Sequence, residues 1–462
     1  MSSQRPQKNE IYTLKIEEIN NLGAGVSHLP DSGIVVFVNG AVTGDLVEAK
    51  LIKVNKTYCV ARLEKIIEPS ALRLAEPFCT VSLSCGGCVY RHVTYEHELE
   101  LKKSYVKHAF IKAGLPDTEI EDVKTTGQIK GYRNKAQYPV GNSKDHIVAG
   151  FYAGKTHNIV KADNCSLQPE FFGDILRFVC DFATKNGISA YNEESGKGLL
   201  RHVYIRHGKC TDEIMLCLVL NGTSLPLEAD FVDQITSRFE QIKSIMLNVN
   251  QKNTNVVLGQ DFRCIFGNPH IEDVLCGKRF RISAGSFYQV NHDGCELLYN
   301  TALDKAEFEG GETVYDLYCG IGTIGLSMSD KVGKIVGIEI VDEAVECAKL
   351  NAKLNGVENA FYFCGDASSA EKMLDSAKDE LGNIIPDAVI LDPPRKGSTP
   401  ELLEYISRLG VPKILYISCD PDTLARDCAI LHRLGYNIGT VTPVDMFPRT
   451  GHCECVVKIS RK

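Results

Sequence analysis

VYDLYCGIGTIGL, residues 314–326, is an apolar strand that runs into three glycines and out into a helix. Gly320, Gly322 and Gly325 satisfy G-x-G-x-x-G, a turn that lets backbone approach a nucleotide-like ligand at a helix start; dinucleotide and S-adenosylmethionine (SAM) folds share it. The next strand, KIVGIEIV (334–341), carries Glu339 near its end, where a carboxylate can accept hydrogen bonds from ribose hydroxyls. A helix is predicted after it, with Asp342 early, Val341, Val345, Ala348 and Ala352 on one face, and Asn355-Gly356 as its stop. Asp366, in FCGDAS, follows a further strand, where an adenine amino group is read. From about residue 283 onward, strand, glycine turn and helix repeat, which marks βαβ units and a parallel sheet.

DAVILDPPRKG (387–397) continues the pattern. Asp392 ends an apolar strand and precedes two prolines. A residue before proline is held extended and each proline fixes its own φ, so the carboxylate is presented rigidly at the sheet edge where α/β folds bind ligands. Dehydrogenases have no need of an acid-Pro-Pro there, whereas methyltransferases acting on planar nitrogens or rings commonly have one; this favours SAM. ILYISCDPDTLARD (414–427) then sets Cys419 at a strand tip. Asp420 is a good N-cap, Pro421 a good first helical residue, and Leu424, Cys428 and Leu431 form an apolar stripe. The helix dipole favours a thiolate at Cys419 and Asp420 opposes it, so a tuned rather than strongly acidic thiol is expected. In DMFPRTGHCECVV (445–457), Glu454 falls within a closing strand.

A thiol, a rigid Asp and a further carboxylate on a SAM-type sheet have a joint chemical logic. C5 of uracil is too weak a nucleophile to take a methyl group. A thiolate added to C6 makes an enolate whose C5 is nucleophilic; a base then removes the C5 proton and the thiolate is eliminated.

Upstream, Cys79, Cys85 and Cys88 are spaced C-x5-C-x2-C around Gly86-Gly87, and Cys165 in KADNCSLQ is a fourth candidate. Four thiolates would close a [4Fe-4S] cluster, and would suit zinc as well. A radical SAM enzyme usually has C-x3-C-x2-C and needs an open iron, which a fourth ligand would block. Residues 8–67 read as short strands between turns, the signature of a small β-barrel. Its later part carries Lys50, Lys53, Lys56, Arg62 and Lys65 around Tyr58, a mix that suits RNA or an ordinary solvated face. An amphipathic helix is expected over 94–115, with Leu99, Tyr105, Phe110 and Ile111 among charges. A second β-rich region extends to about 280, in which Val203, Ile205, Met215, Cys217 and Val219 alternate as in strands.

At 462 residues the chain exceeds one hydrophobic core, and two to four domains are expected. Its 44% hydrophobic and 24% charged residues are those of a globular protein, and no apolar run approaches the roughly 18 residues of a membrane helix. The polar start MSSQRPQKNE has no signal-peptide core, so a cytoplasmic location without membrane attachment is expected. Eighteen cysteines are then free thiols, metal ligands or catalysts rather than a disulfide framework. Net charge is −8, so any nucleic-acid contact must use local basic patches.

Taken in order, DLYCGIGT, LDPPRKG, SCDPDTLARD, SFYQVN and the C-terminal DMFPRTGHCE make the sequence resemble the RNA uracil-C5-methyltransferase family over essentially its whole length, and most closely the 23S ribosomal RNA branch. The resemblance implies a multidomain α/β protein: a TRAM β-barrel, OB-like and RNA-binding (1–67), a central β-rich iron-sulfur domain (68–282) and a Rossmann-like SAM methyltransferase domain (283–462). The helix around 94–122 is expected to pack with the last. It implies Cys419 as nucleophile and Glu454 as base. Gln289 (in SFYQVN), Tyr318, Thr323, Glu339, Asp366 and Asp392 would form the SAM and uracil pocket, and Cys79, Cys85, Cys88 and Cys165 would hold a [4Fe-4S] cluster. Phe is frequent in the family where Tyr318 stands, and Asn where Asp366 stands. The uridine must leave its stack to reach Cys419. GYRNKAQYP (131–139), with Tyr132, Arg133, Lys135 and Tyr138, is the candidate RNA contact, against a plain strand with a basic edge. The implied partner is 23S rRNA, with the tRNA T-loop as rival; no obligate protein partner is implied. A non-catalytic RNA assembly factor is the reading from another class, and intact Cys419, Glu454 and Asp392 argue against it.

Overall fold

The computed structural model describes residues 5–30, 32–76, 78–79, 81, 84–154, 156–365 and 385–462. Three sheets follow one another along the chain. The first contains β1 (Ile11–Lys15), β2 (Glu18–Ile19), β3 (Ala24–His28), β4 (Val35–Asn39), β5 (Leu46–Val54) and β6 (Tyr58–Glu68) in the order β1-β5-β6-β4-β3-β2. Its two edge strands are consecutive in sequence, so the sheet must turn back on itself around Leu14, Val36, Val38, Val47 and Leu51.

After the cysteine-bearing segment and α1 (Tyr95–Lys112) comes the central sheet. It is built from β7 (Lys135–Ser143), β8 (His146–Tyr152), β9 (Ile159–Lys161), β10 (Leu200–His207), β11 (Ile214–Leu220), β12 (Ile242–Val249) and β13 (Asp261–Gly267), with α2 (Glu170–Lys185) and α3 (Glu228–Arg238) on one face. Met215, Cys217 and Met246 point the other way, into a core shared with the C-terminal region. Every residue of β10 and β11 is buried as a result, so the alternation expected there gives way to strands covered on both faces. The hairpin of β14 (His270–Leu275) and β15 (Lys278–Ser283) puts Ile271, Leu275, Phe280 and Ile282 into that shared core.

The third sheet is formed by β16 (Thr313–Leu317), β17 (Lys334–Glu339), β18 (Ala360–Cys364), β19 (Ala388–Leu391), β20 (Lys413–Ser418), β21 (Tyr436–Val444) and β22 (Glu454–Arg461). Its order is β18-β17-β16-β19-β20-β22-β21, and all strands run the same way except β22, which is antiparallel to both β20 and β21. α4 (His292–Ala306), α5 (Thr323–Met328) and α6 (Asp342–Leu354) join the helices Pro400–Arg408 and Pro421–Arg433 in flanking it. Val345, Ala348 and Ala352 of α6 are buried as expected, but Val341 caps the helix from outside and is exposed. No described helix is long and apolar enough to cross a membrane.

α1 departs from its sequence reading. Val106, Ala109 and Phe110 enter the core beside Leu424 and Cys428, whereas Ile111 is exposed. The rest of its buried face is charged. Lys102 Nζ lies 2.9 Å from Glu98 Oε1 and 2.7 Å from Asp445 Oδ1, and the hydroxyl of Tyr95 donates to Asp445 Oδ2 at 2.7 Å. The backbone N–H of Arg449 donates to Glu98 Oε1 at 2.6 Å, and its guanidinium reaches Glu98 Oε2 at 3.3 Å. Two cations and two anions thus neutralise one another away from water and tie α1 to the loop that leads into β22.

Candidate active site

The glycine turn sits between β16 and α5. Tyr318 has φ of +79°, and Gly322 (φ +83°) caps the helix in the left-handed conformation. A Cβ added to Gly320 would meet nothing within 4 Å, so the loop backs onto open space in which a ligand can approach its backbone. Two carboxylates brace this loop. Glu339, at the end of β17, accepts the N–H of Gly320 and the N–H of Val341, each at 3.0 Å. Asp316, fully buried in β16, accepts the N–H of Gly325 at 3.1 Å, while its Oδ1 has no partner among the described residues. Burial, then the charge of Asp392, pushes the Asp316 carboxyl up to about 7. Thr323 begins α5 with its hydroxyl 3.0 Å from that of Tyr299. Gln289 lies in the loop ahead of α4, where its carbonyl accepts from the Asn134 side chain at 3.1 Å. Asp366 lies outside the described residues.

Next to the glycine turn, β19 ends at Leu391 opposite Leu317, so Asp392 and Tyr318 emerge side by side. β20 and β22 run antiparallel with Ser418 opposite Cys455. Continued by one step, that register faces Cys419 with Glu454, whose side chains then share one side of the ladder. Glu454 is 4% exposed. Burial, reinforced by Asp392 and opposed by Arg395, pushes its carboxyl up to about 8; burial alone pushes Asp392 up to about 7. Asp420 caps the following helix, accepting from the N–H of Thr423 at 3.1 Å, and Pro421 opens it. The thiol is not strongly acidic, as expected, and Asp420 opposes its ionisation, but burial is the larger influence. Burial, then Glu454 and Asp392, pushes Cys419 up to about 12, with Arg395 the one opposing charge. Burial thus disfavours the charged forms of Asp392, Glu454 and Cys419, and Arg395 at the mouth favours ionisation of the last two.

That mouth is a cleft of about 320 Å³, lined among others by Leu22, Arg133, Arg395, Cys419, Asp420 and His452. Arg395 reaches the Nε2 of His452 at 3.2 Å. Asn291, in SFYQVN, caps α4 and donates to the carbonyl of Met446 at 2.9 Å, which holds the 445–452 loop against the site.

The tRNA (uracil-5-)-methyltransferase family model matches residues 228–462, and that of the TRAM domain residues 5–63. An uncharacterized RNA methyltransferase of Clostridium tetani is 40% identical over 451 residues, 98% of this chain and 96% of that protein. One from Bacillus cereus is 40% identical over 456 residues, covering 98% and 97%. The chain belongs to the tRNA (uracil-5-)-methyltransferase family. The structure of the Pyrococcus abyssi tRNA (uracil-54, C5)-methyltransferase in complex with S-adenosyl-L-homocysteine superimposes with a TM-score of 0.76 at 26% identity, covering 97% of this chain and all of that one. As a uracil-5-methyltransferase family member, the protein is a SAM-dependent RNA-modifying transferase with a TRAM domain at its N-terminus.

Within this family member the 131–139 segment needs correcting. Tyr132 and Tyr138 are 5% and 0% exposed. The hydroxyl of Tyr132 donates to the carbonyl of Pro448 at 2.9 Å and that of Tyr138 to the Gln168 side chain, so neither ring can stack on a base. Lys135 is desolvated and pressed by Arg206 and Arg133, which pushes it down to about 8. Arg133 alone of the four lines the cleft. On the barrel, Lys53, Lys56, Tyr58 and Lys65 are exposed, and Arg62 pairs with Glu64 at 2.7 Å. Arg395, Asp316 and Asn291 stand inside motifs that the sequence singles out, but their roles depend on neighbours that only folding supplies.

No disulfide joins any of the eighteen cysteines. Cys79, Cys85, Cys88 and Cys165 line one small cavity with Phe78, Val81, Phe151 and Leu167. Burial and the three other thiols push Cys88 up to about 12. Among the described residues the one group with three potential ligand atoms within 4.8 Å of one another is Cys210, Asp273 and His292. Its polar atoms are engaged within the protein: Asp273 accepts from the Cys210 N–H and the Tyr288 hydroxyl, and His292 Nε2 lies 2.6 Å from the carbonyl of Val274.

Proposed function

We propose that this chain methylates C5 of a uridine in 23S rRNA through a covalent adduct. The observation that carries this reading is the facing of Cys419 and Glu454 across β20 and β22, with Asp392 at the neighbouring strand end. The Cys419 thiolate adds to C6, forming a C–S bond and shifting the C5–C6 electron pair towards the C4 carbonyl. Gln289, Tyr318, Thr323, Glu339, Asp366 and Asp392 would hold SAM, which would supply the methyl group to C5, its sulfonium S–CH3 bond breaking and S-adenosyl-L-homocysteine leaving. Glu454 then removes the C5 proton; its electrons restore the C5–C6 double bond and the C6–S bond breaks, returning the thiolate. Arg395 assists by favouring the ionised forms of Cys419 and Glu454.

In the same reading the chain divides at 67 and 282 into barrel, central and catalytic domains. Cys79, Cys85, Cys88 and Cys165 hold a [4Fe-4S] cluster in the central one. Thiolates on one zinc stand about 3.8 Å apart, given Zn–S of about 2.3 Å and tetrahedral angles. No three of these four sulfurs fall within 4.8 Å of one another, a spread that favours a larger inorganic body. The cluster's chemistry there is to bind thiolates and so join Cys165 to the 79–88 segment. Iron and acid-labile sulfide in anaerobically purified protein, lost together in Cys88→Ala, test this.

The barrel and the cysteine set support 23S rRNA. A second reading, the tRNA T-loop uridine, is favoured by the Pyrococcus abyssi enzyme, whose name gives tRNA uracil-54. The experiment is methyl transfer from labelled SAM to unmodified 23S rRNA and unmodified tRNA in separate reactions. Label in rRNA alone supports the first reading, and label in tRNA alone replaces it with the second. Label in neither, with iron and SAM bound, rejects both.

A further inference from the structure

The turn between β2 and β3 carries an apolar side chain at the cleft. Leu22 is 75% exposed, more than any other large hydrophobic residue described. It shares the cleft walls with Cys419, Arg133 and Arg395, although it belongs to the N-terminal sheet and they do not. The turn that bears it is rigid. The side chain of Asn20 accepts the N–H groups of both Leu22 and Ala24 at 3.0 Å. Gly23 has φ of +77°, and a Cβ there would stand 2.5 Å from the carbonyl oxygen of Val89. On the opposite side, a Cβ on Gly451 would stand 1.9 Å from the carbonyl oxygen of Asn21. The turn is therefore seated without slack between the cysteine segment and the loop that leads to Glu454. At 75% exposure Leu22 gains little burial from its position, and the turn fixes where it stands on the cleft wall.

We propose that Leu22 is a wedge: it enters the RNA base stack at the place the uridine vacates and so holds the flipped base in the Cys419 cleft. The proposal rests on the uracil-methylation reading above. A base must leave its stack to reach a buried nucleophile, which costs a few kcal/mol, and the gap it leaves is open to water. An apolar side chain inserted beside it replaces the lost stacking contact, as leucine wedges do in kinked duplexes. Arg133 and Arg395 on the same cleft supply charges for the flanking phosphates. The N-terminal sheet thereby takes part in positioning the reacting base, beyond adding affinity for RNA.

The test compares wild type, Leu22→Ala and Leu22→Met, all full length and loaded with SAM, on two RNAs. One is a hairpin holding the methylated uridine in a stacked stem with 2-aminopurine as its neighbour; the other is the same sequence as a short unstructured strand. Leu22→Ala is expected to lose about tenfold in kcat/KM on the hairpin, to match wild type on the single strand, and to lose the rise in 2-aminopurine fluorescence that reports unstacking. Leu22→Met is expected to restore both. Equal rates of wild type and Leu22→Ala on the hairpin, or equal losses on both RNAs, overturn the wedge while leaving the methylation reading intact. A wild type that methylates neither RNA rejects that reading itself, and the wedge with it.

Discussion

Arg395→Met should displace the pH profile of catalysis rather than simply lower it. Arg395 is the cation that opposes the upward shifts of both Cys419 and Glu454. The groups facing those two are otherwise Asp392 and Asp420, both of which disfavour a further negative charge, and His452, which Arg395 itself contacts at 3.2 Å. Removing the guanidinium withdraws support from the charged forms, so both groups move further up. An opposite charge close to a partly buried acid shifts it by about 1 unit or more, and one unit corresponds to about 1.36 kcal/mol and a tenfold change in the ionised fraction. Glu454 then titrates above its present value of about 8. On the rising limb of kcat/KM for methyl transfer, the variant is expected to be about tenfold slower, with the limb moved about one pH unit higher and the deficit shrinking as pH rises. The assay is the pH dependence of kcat/KM with labelled SAM at saturating cofactor. A variant whose profile is lowered uniformly, with its limb superimposed on that of wild type, would refute the electrostatic argument and leave Arg395 as a phosphate contact.

Glu454→Gln should accumulate the Cys419 adduct on ordinary RNA, seen as a retarded band on a denaturing gel, because the C5 proton is no longer removed; normal turnover excludes Glu454 as base. The same variant should melt higher than wild type in alkaline buffer. The folded carboxyl is raised from 4.5 to about 8, so its contribution to stability is complete below about 4.5 and lost as pH climbs through about 8, whereas a glutamine does not titrate. RNA bearing 5-fluorouridine should trap wild-type protein and SAM as a persistent adduct, absent in Cys419→Ala; no trapping by active enzyme removes Cys419 from its role. Lys102→Met leaves Asp445 buried without a cation, and Glu98 with Arg449 alone, and should cost about 3–5 kcal/mol in denaturant titration. A loss below about 1 kcal/mol would mean that water reaches the pair.

What could be read in the sequence was local. The glycine turn, the Asp-Pro-Pro strand end and the Asp420-Pro421 helix start each announce themselves within a dozen residues, because backbone constraint is set by neighbours in the chain. The facing of Cys419 with Glu454 depends instead on a strand register, and the resemblance to a family supplied it. Glu98 and Lys102 on α1 have the spacing of a solvated surface pair. They are buried because Asp445 and Arg449 arrive from the far end of the chain, which no local pattern encodes. Tyr132 and Tyr138 failed as RNA contacts for the converse reason: an aromatic among basic residues looks the same whether its ring faces solvent or the Pro448 carbonyl. The apolar residues of the hairpin 270–283 join the central sheet and the region beneath the glycine turn in one core, a contact that no local pattern encodes.

The polar seam of α1 also bears on how the protein is made. Lys102 and Asp445 are 343 positions apart, and Glu98 and Arg449 are 351 apart. A ribosome adding about 5–20 residues per second needs roughly 20–70 s to synthesise the intervening chain. During that interval α1 has no partner for this part of its surface. An apolar surface left waiting so long would invite association with other nascent chains. Glutamate and lysine wait in water without that hazard, and give up their hydration only when the segment 445–449 delivers the countercharges.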